Sequence, residues 1–421
     1  MHLFFVRAFN DIDHLTPVVW KMSRDNYPVA VYCINPEYDI LNDYRLNFLK
    51  QLGVKVDHLY NHFGEKLGWL HRTLRYLFSA SFAIHRNLAT DTRSATLKFL
   101  RDPRFLIRLI GQGLYKLTRN KYYTSDWAKH ILEQTGARTL CFDWIKTRQF
   151  VVNELMKSAN DMSIPVIALP HGVYVYTNDF VAIESRPLET YEKLNRYDRV
   201  IVQNKLYKEL MANFGLDSGK ILILGSARYC NEWLEQNKKI LPRKIGFRGQ
   251  NEKKLKIVFM TTRPRYRVDM ERMFATFDLL AKLDGIEVLV KPHTRTKKEA
   301  ILFDDLPVAN AVDISSVELC EWADVVLVIG SSIILESLVQ GKPALYLKYL
   351  HENTTLYEEF GACWTIHDED ELRSALLTLQ DDRQNVPYSA ENANRFISDI
   401  VYGGPEKRDV LKDYVQFIVN C

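Results

Sequence analysis

Three residues that follow a predicted strand in the second half of this sequence are suited to binding a phosphate group. Gly330, Ser331 and Ser332 come directly after the apolar strand Val325–Ile329, and an apolar helix follows them to about Val339. Such a junction leaves the first backbone N–H groups of the helix unpaired, with the positive end of the helix dipole behind them, so it can receive an anion. The alternative is that Ser331 or Ser332 only caps the helix.

Basic residues follow two other predicted strands of the same half. Arg263 and Arg265 lie in the segment Thr261–Arg267 after one strand, and Lys291 and His293 lie after the next. Arginine can bind a diphosphate or a carboxylate with two parallel hydrogen bonds. Because the carboxyl ends of parallel strands meet at one edge of a sheet, the three clusters predict one phosphate-binding pocket. The alternative is a set of solvated basic loops.

The first half carries two candidates for proton transfer at the ends of predicted strands. His171 lies between Pro170 and Gly172 after the strand Val166–Leu169, where the turn exposes its ring and lets it titrate near neutral pH. Asp143 also ends a strand and could act as a general base, or as a nucleophile in a retaining enzyme. The alternatives are a structural histidine and an aspartate that caps the next helix.

The elements that must position these residues alternate between strand and helix, which predicts parallel sheets with right-handed crossovers. The strands are Leu3–Val6, Val29–Ile34, Val54–Leu59, Thr139–Phe142, Val166–Leu169 and Arg199–Val202 in the first half, and Lys256–Met260, Glu287–Val290, Asp324–Ile329 and Ala344–Leu347 in the second. We therefore predict an α/β protein of two doubly wound domains that face each other across a ligand-binding cleft.

The domain boundaries follow from changes in composition. Residues 1–235 form the predicted first domain, with a helical insertion at about 65–132. The polar, basic and breaker-rich stretch 236–254 is typical of a linker. The predicted second domain spans 255–404, and a closing helix occupies 405–421.

Length, composition and charge exclude several classes of protein. The 421 residues are too many for one ordinary core and fit two domains. No apolar run is long enough to cross a bilayer, and the net charge of +4 gives no argument for nucleic acid. The six cysteines are scattered singly, which fits free thiols in a reducing compartment. The sequence begins as a strand rather than as a leader, so the expected location is the cytoplasm.

The motif Lys291-Pro292-His293, followed by Gly330-Ser331-Ser332, Glu336 and Gly341-Lys342-Pro343, resembles the donor-binding half of GT-B enzymes that build bacterial surface polymers. These enzymes include capsule and lipopolysaccharide glycosyltransferases, such as Kdo and sialic acid transferases, and CDP-glycerol glycerophosphotransferases of the teichoic-acid type. The same families often carry a His-Gly pair in the first domain, as in His171-Gly172.

The resemblance implies a GT-B fold of two Rossmann-like domains and roles for the matching residues. The donor site would comprise Arg263, Arg265, Lys291, His293, Gly330, Ser331, Ser332 and Glu336. In these families the helix-borne carboxylate, here Glu336, holds the ribose, and the histidine and the serine pair contact the donor phosphate. His171 or Asp143 would be the catalytic base.

No metal site and no cofactor are expected. The two D-x-D matches, at 11–13 and 368–370, lie in helix-capping or acidic-loop surroundings. Arginine, histidine and the helix dipole would therefore have to meet the charge of the donor phosphate.

The predicted insertion interleaves cationic and aromatic residues with aliphatic ones, as in Arg101–Ile110 and Leu114–Tyr123. Helices of this kind suit the anionic surface of the inner membrane, where a lipid-linked acceptor would be found. The alternative is that they pack on the domain, with Arg and Lys stems covering apolar surface.

Together these expectations describe a cytoplasmic, metal-independent GT-B glycosyltransferase. It would use a nucleotide-sugar, with a cytidine nucleotide favoured, and a surface-polysaccharide or lipid-linked acceptor. Three alternatives stay open: a CDP-polyol phosphotransferase of teichoic-acid type, a UDP-sugar 2-epimerase, and a polymer-binding GT-B module without activity. The epimerases share the Gly/Ser, Glu and Gly-Lys-Pro pattern, but the first strand here ends in Val6-Arg7-Ala8-Phe9, without the Gly-Thr-Arg-Pro turn expected of them.

Overall fold

The computed structural model describes residues 1–35, 38–62, 123–144, 151–173, 175–177, 191–244, 254–293, 306–404 and 408–421. These residues form two parallel sheets. The first has seven strands in the order β3-β2-β1-β4-β5-β6-β7. They are β1 (His2–Val6), β2 (Val29–Cys33), β3 (Lys55–His58), β4 (Thr139–Asp143), β5 (Val166–Leu169), β6 (Arg199–Val202) and β7 (Ile221–Ile223).

The second sheet has six strands in the order β10-β9-β8-β11-β12-β13. They are β8 (Leu255–Met260), β9 (Ile286–Lys291), β10 (Ala309–Asn310), β11 (Val325–Val328), β12 (Ala344–Leu347) and β13 (Trp364–Ile366). In each sheet the strand order reverses once, between β1 and β4 and between β8 and β11. Sheets of this kind bind ligands outside the carboxyl ends of the strands at such a switch point.

Helices connect the strands and cover both sheets. They are α1 (Phe9–Arg24), α2 (Tyr44–Gln51), α3 (Ser125–Thr135), α4 (Val152–Asp161), α5 (Lys205–Asn213), α6 (Asn231–Ile240), α7 (Met270–Lys282), α8 (Ser316–Trp322), α9 (Ile334–Val339), α10 (Leu356–Glu359), α11 (Glu369–Asp381), α12 (Ala390–Ile400) and α13 (Val410–Asn420). No helix in the described ranges is long and apolar enough to span a bilayer.

The central strands are apolar along their length because both faces of each sheet are covered. In β1, Leu3 and Phe5 pack into one apolar cluster, and Phe4 and Val6 pack into another on the opposite face. The second sheet has two clusters of the same kind. Parallel sheets buried on both faces require such continuous apolar strands. The prediction of two doubly wound α/β units is confirmed.

The last helix returns to the first sheet. Residues of α13, among them Val410 and Leu411, share an apolar cluster with Phe4 of β1. The Tyr414 hydroxyl donates a hydrogen bond to the Gly225 carbonyl at 2.9 Å. The predicted closing helix corresponds to α13, and it packs on the part of the chain assigned to the first domain.

The structure also differs from the sequence-based prediction. Residues 236–240, assigned to the linker, form the end of α6, which is anchored by the buried Trp233. Strands β7, β10 and β13 were not predicted, because each has only two or three residues and too little pattern to detect. Most of the predicted helical insertion lies outside the described residues, including all but Tyr123 of the segments predicted to bind a membrane. The domain boundaries stay a prediction.

The close packing of the segment before α13 on the first sheet can be tested at Gly403. Its φ is +77°, and a Cβ there would lie 2.7 Å from the Gln203 carbonyl oxygen and 2.8 Å from Ile223 Cγ2. Gly341 has a φ of +67° and open space at its Cβ position. Gly403→Ala should lower the free energy of unfolding by about 1–3 kcal/mol more than Gly341→Ala, because it adds a steric clash to the same backbone strain. Urea unfolding measures the difference, and equal losses would contradict the close packing.

Candidate active site

The first sheet brings together two residues that were predicted separately. Asp143 is the last residue of β4, and His171 follows the neighbouring strand β5 by two residues. His171 Nδ1 and Asp143 Oδ2 form a hydrogen bond. The two candidates for proton transfer therefore form one site, at the carboxyl end of the strands beside the switch point.

Arg7 completes this cluster and was not predicted as part of it. It follows β1 directly, and its Nη2 donates to Asp143 Oδ2. Its Nε and Nη2 also donate to the two carboxylate oxygens of Asp11, at 2.7 and 3.0 Å. One guanidinium thus joins the loop after β1 to β4 and to the first turn of α1. The available signal was an arginine at a strand end, four residues before an aspartate.

Asp11 and Asp143 are almost fully buried, with exposed fractions of 2% and 1%. Burial and the neighbouring Asp143 carboxylate raise the pKa of Asp11. Burial also opposes the ionisation of Asp143, but hydrogen bonds with His171 and Asp11 and the charges of His171 and Arg7 hold its pKa well below its usual range. The two carboxyl groups are therefore coupled, and their surroundings favour protonation of Asp11 before Asp143.

His171 is oriented for use as a base. Its side chain is 44% exposed, and the Asn10 side-chain amide donates to its backbone carbonyl. Because the ionised Asp143 accepts a hydrogen bond from Nδ1, the neutral ring carries its proton there and keeps a lone pair on Nε2. Asp143 does not cap the next helix: the N-cap of α4 is Val151, which has no side-chain cap.

Asp11, Asp143 and His171 also have the spacing of a metal site. One ligand atom of each lies within 4.8 Å of the others, and no second group of this kind occurs in the described ranges. However, the Arg7 guanidinium already donates hydrogen bonds to both carboxyl groups. A metal ion would have to displace this cation, which favours a metal-free site. The absence of a metal stays a prediction.

At the carboxyl ends of two central strands of the second sheet, two predicted donor-binding loops lie side by side. Gly330, Ser331 and Ser332 follow β11, and Arg263 lies in the loop after the neighbouring strand β8. Ser331 Oγ accepts a hydrogen bond from the Ile333 N–H at 3.4 Å. The N-cap of α9 is Ile333, which has no side-chain cap, so Ser331 holds the turn before the helix and does not cap it. Both loops lie at the switch point of this sheet.

Lys291 has a different environment from the one predicted. It is buried, and its ammonium group donates to the backbone carbonyls of Ala311 and Val312 at 3.3 and 2.6 Å. Burial lowers the pKa of Lys291 to about 8. The ammonium group is therefore already hydrogen-bonded to the loop that follows β10. The role of Lys291 as a donor ligand stays a prediction.

Glu336 is also buried rather than open to a ligand. Burial raises its pKa to about 7, against the opposing charge of Arg228, an arginine from the first half of the chain. His293 is partly buried. The side chain of Arg265 lies outside the described part of the structure. The roles of these three residues also stay predictions.

A short segment after His171 crosses from the first sheet to the second. Residues 175–177, here called the crossing segment, pair with residues 354–356 through two backbone hydrogen bonds of 2.7 and 3.0 Å. The Tyr176 hydroxyl donates to the Gly330 carbonyl at 2.7 Å. A Cβ on Gly330 would lie 2.3 Å from this hydroxyl. Glycine at 330 thus makes room for Tyr176, and the segment ties the His171 loop to the predicted donor loop.

Comparison with known proteins identifies the fold but no family. No family model and no curated protein matches the chain. The structure of UDP-GlcNAc 2-epimerase from Neisseria meningitidis bound to UDP-GlcNAc matches with a TM-score of 0.53 at 13% identity, over 100% of this chain and 99% of that one. The wall teichoic acid polymerase TagF matches with a TM-score of 0.54 at 11% identity, over 100% and 88%. The glycotransferase of kitacinnamycin matches with a TM-score of 0.52 at 12% identity, over 100% and 98%.

These likenesses show a GT-B-like fold of two Rossmann-like sheets, as the sequence resemblance implied. At identities of 11–13% they show the fold alone.

The two partners in the histidine–aspartate hydrogen bond should differ in their effect on stability. Asp143→Asn removes a buried charge and leaves Arg7 without part of its counter-charge, so we expect a loss of about 3 kcal/mol or more in the free energy of unfolding. His171→Gln removes a half-exposed side chain and should cost about 1 kcal/mol or less. Denaturant unfolding of both variants checks the difference. Equal losses would mean that Asp143 is not a buried charge held by Arg7.

Proposed function

We propose that this protein is a GT-B glycosyltransferase that moves a sugar from a nucleotide donor to a hydroxyl group of a surface-polysaccharide or lipid-linked acceptor. The observation that carries the proposal is the His171–Asp143 pair, whose imidazole has a base-competent Nε2. The crossing segment supports it by connecting this pair to the loop at Gly330. A base on one sheet and an anion-binding loop on the other are the two groups that sugar transfer requires.

In this proposal His171 is the general base. Its Nε2 takes the proton of the acceptor hydroxyl, and the hydroxyl oxygen bonds to the anomeric carbon as the bond from that carbon to the donor phosphate breaks. Asp143 stabilises the imidazolium that forms, and Arg7 keeps Asp143 ionised and in place.

The charge that develops on the leaving phosphate would be stabilised from the second sheet. The N–H groups of the Gly330–Ser332 loop and the side chains of Arg263, Arg265 and His293 are the candidates for this role. A cytidine nucleotide stays the favoured donor because of the resemblance of the His293 and serine motifs to enzymes that use CMP and CDP donors.

The burial of Asp143 supports the role of a positioning residue over that of a nucleophile. Its Oδ2 accepts hydrogen bonds from both Arg7 and His171, and only 1% of the residue is exposed. Attack on a sugar would require these bonds to break and a buried charge to move. The proposal therefore favours a single displacement by the acceptor, which inverts the anomeric configuration.

A 2-epimerase is the second candidate function, and one observation favours it. Asp11, Asp143 and His171 lie together, with the pKa of Asp11 raised and that of Asp143 lowered. A set of acidic and basic groups is what removal and return of a sugar C2 proton requires. Such an enzyme would interconvert two nucleotide-sugars and needs no acceptor.

One set of incubations separates the candidate functions. The protein is mixed with CMP-, CDP- and UDP-linked sugars and with CDP-glycerol, with and without a glycan acceptor, and the products are analysed by mass spectrometry. Release of a nucleotide with transfer of the sugar supports the glycosyltransferase. Release of CMP with phosphorus retained in the product indicates a phosphotransferase, and an epimerised sugar without an acceptor indicates the epimerase. Binding without any product indicates a module without activity.

Substitution of His171 should affect turnover, and substitution of His293 should affect nucleotide binding. His171→Ala should lower turnover by about 100-fold or more, the usual contribution of a general base, and leave nucleotide affinity unchanged. His293→Ala should weaken nucleotide binding by about 1.5–3 kcal/mol, the contribution of a hydrogen bond to a charged group. Kinetics and calorimetry measure the two effects. Full turnover in His171→Ala would remove it from the role of base.

The enzyme should keep its activity in EDTA, because in the proposed site arginine, histidine and backbone N–H groups stabilise the phosphate charge without a metal ion. Activity is measured before and after chelation and again after addition of magnesium or manganese. Loss on chelation and recovery with the metal would instead assign Asp11, Asp143 and His171 to a metal site.

A further inference from the structure

The loop between β7 and α6 reaches from the first sheet to the second, beside the predicted donor loop. The Tyr229 hydroxyl donates a hydrogen bond to Ser332 Oγ at 3.4 Å, and Tyr229 packs in an apolar cluster of the second sheet. The same loop is fixed at Ser226, whose N–H donates to the Val401 carbonyl at 2.6 Å. Ala227 of this loop packs in a cluster of the first sheet, so residues 226–229 contact both sheets.

Arg228 lies in this loop between charged groups of both halves. Its Nη1 is 3.2 Å from Asp13 Oδ2, and its guanidinium carbon is 4.9 Å from the centre of the Tyr229 ring. Asp13 also accepts a hydrogen bond from Arg45. On the side of the second sheet, the carboxyl group of Glu336 is near enough to interact electrostatically with Arg228. Arg228 is thus a cation that acts on the buried Glu336 from the first half, with a smaller effect from Lys238.

The guanidinium of Arg228 has donor groups that the described protein atoms do not use. Arginine carries five N–H donors, and the close polar contact of this side chain within the described ranges is the one to Asp13. That carboxylate is shared with Arg45, and 20% of the Arg228 side chain remains exposed. The remaining donors can therefore bind an anion without the loss of the contact that holds the arginine.

We propose that Arg228 is a ligand of the donor phosphate, and that Tyr229 positions it through the hydrogen bond to Ser332. This inference rests on the proposed function. The planar fork of N–H donors matches two phosphate oxygens. Arg228 lies over the ring of Tyr229, whose hydroxyl bonds to Ser332 of the predicted donor loop. As the bond to the sugar breaks, the negative charge on the leaving phosphate grows, and Arg228 stabilises that charge.

Titration of the full chain with CDP and with cytidine separates contacts to phosphate from contacts to the nucleoside. Arg228→Gln should weaken CDP binding by about 10- to 100-fold, the factor for lost charge-assisted hydrogen bonds, and leave cytidine binding unchanged. UDP and uridine are measured in parallel. Arg383→Gln is the matched control, because it removes the same charge and an ion pair with Asp324, which lies at the opposite end of β11 from the donor loop. It should bind CDP as the wild type does.

The outcomes distinguish this inference from the proposed function. Wild-type protein that binds neither CDP nor UDP contradicts the proposed function. Wild-type binding together with equal CDP affinity in Arg228→Gln overturns the role of Arg228 alone. A loss of CDP and cytidine affinity by the same factor also overturns it, because this is what a purely structural arginine predicts.

Two further variants cover the case in which Arg228→Gln does not fold. Arg228→Lys keeps the charge but lacks the fork of donors, and Tyr229→Phe removes the hydroxyl that bonds to Ser332. Each should weaken CDP binding relative to cytidine by about 3- to 10-fold, a smaller loss because part of the contact remains. Unchanged CDP affinity in both variants overturns the inference.

Discussion

The buried carboxylate of Asp143 is the interaction on which the candidate site depends. A charge in the interior is tolerated only when it is paired and hydrogen-bonded, and here the partners are Arg7 and His171. They follow β1 and β5, the strands on either side of β4. Satisfying this one charge therefore fixes both neighbouring loops at the switch point. The same bond sets the tautomer of His171, so the stability of the cluster and its capacity to act as a base have a common origin.

Two tyrosine hydroxyls from the first half hold the ends of the predicted donor loop. Tyr176 donates to the Gly330 carbonyl, and Tyr229 donates to the Ser332 hydroxyl. A phosphate bound at this loop has to fit beside these hydroxyls or displace them. In the second case, nucleotide binding breaks contacts between the two halves. In the first case, the two hydroxyls are available to contact the bound phosphate.

Sequence patterns located most of the fold because parallel strands buried on both faces are continuous apolar runs, as in β1 and β11. They also pointed to Asp143 and His171, since a polar residue at the end of an apolar strand can be recognised from the sequence alone. The pairing of the two was not predictable without the strand order, and the same is true of Arg7. Tyr176 and Arg228 were missed for another reason: their importance comes from contacts with residues more than 100 positions away, and no local pattern records such contacts. The buried surroundings of Lys291 and Glu336 likewise depend on tertiary packing.

The charges at the second sheet bear on our proposal that the first half contributes to the donor site. The ammonium group of Lys291 is bonded to two backbone carbonyls, which compete with a phosphate for its N–H groups. The buried Glu336 adds a carboxyl group near the same loop, with a pKa raised to about 7 by burial. The second sheet's other candidate cations for a phosphate are Arg263, Arg265 and His293. In our proposal Arg228 adds a cation from the first half, and it does so only when its loop packs on the second sheet. The leaving phosphate would then be stabilised from both halves, in a site that shields the transferred sugar from water.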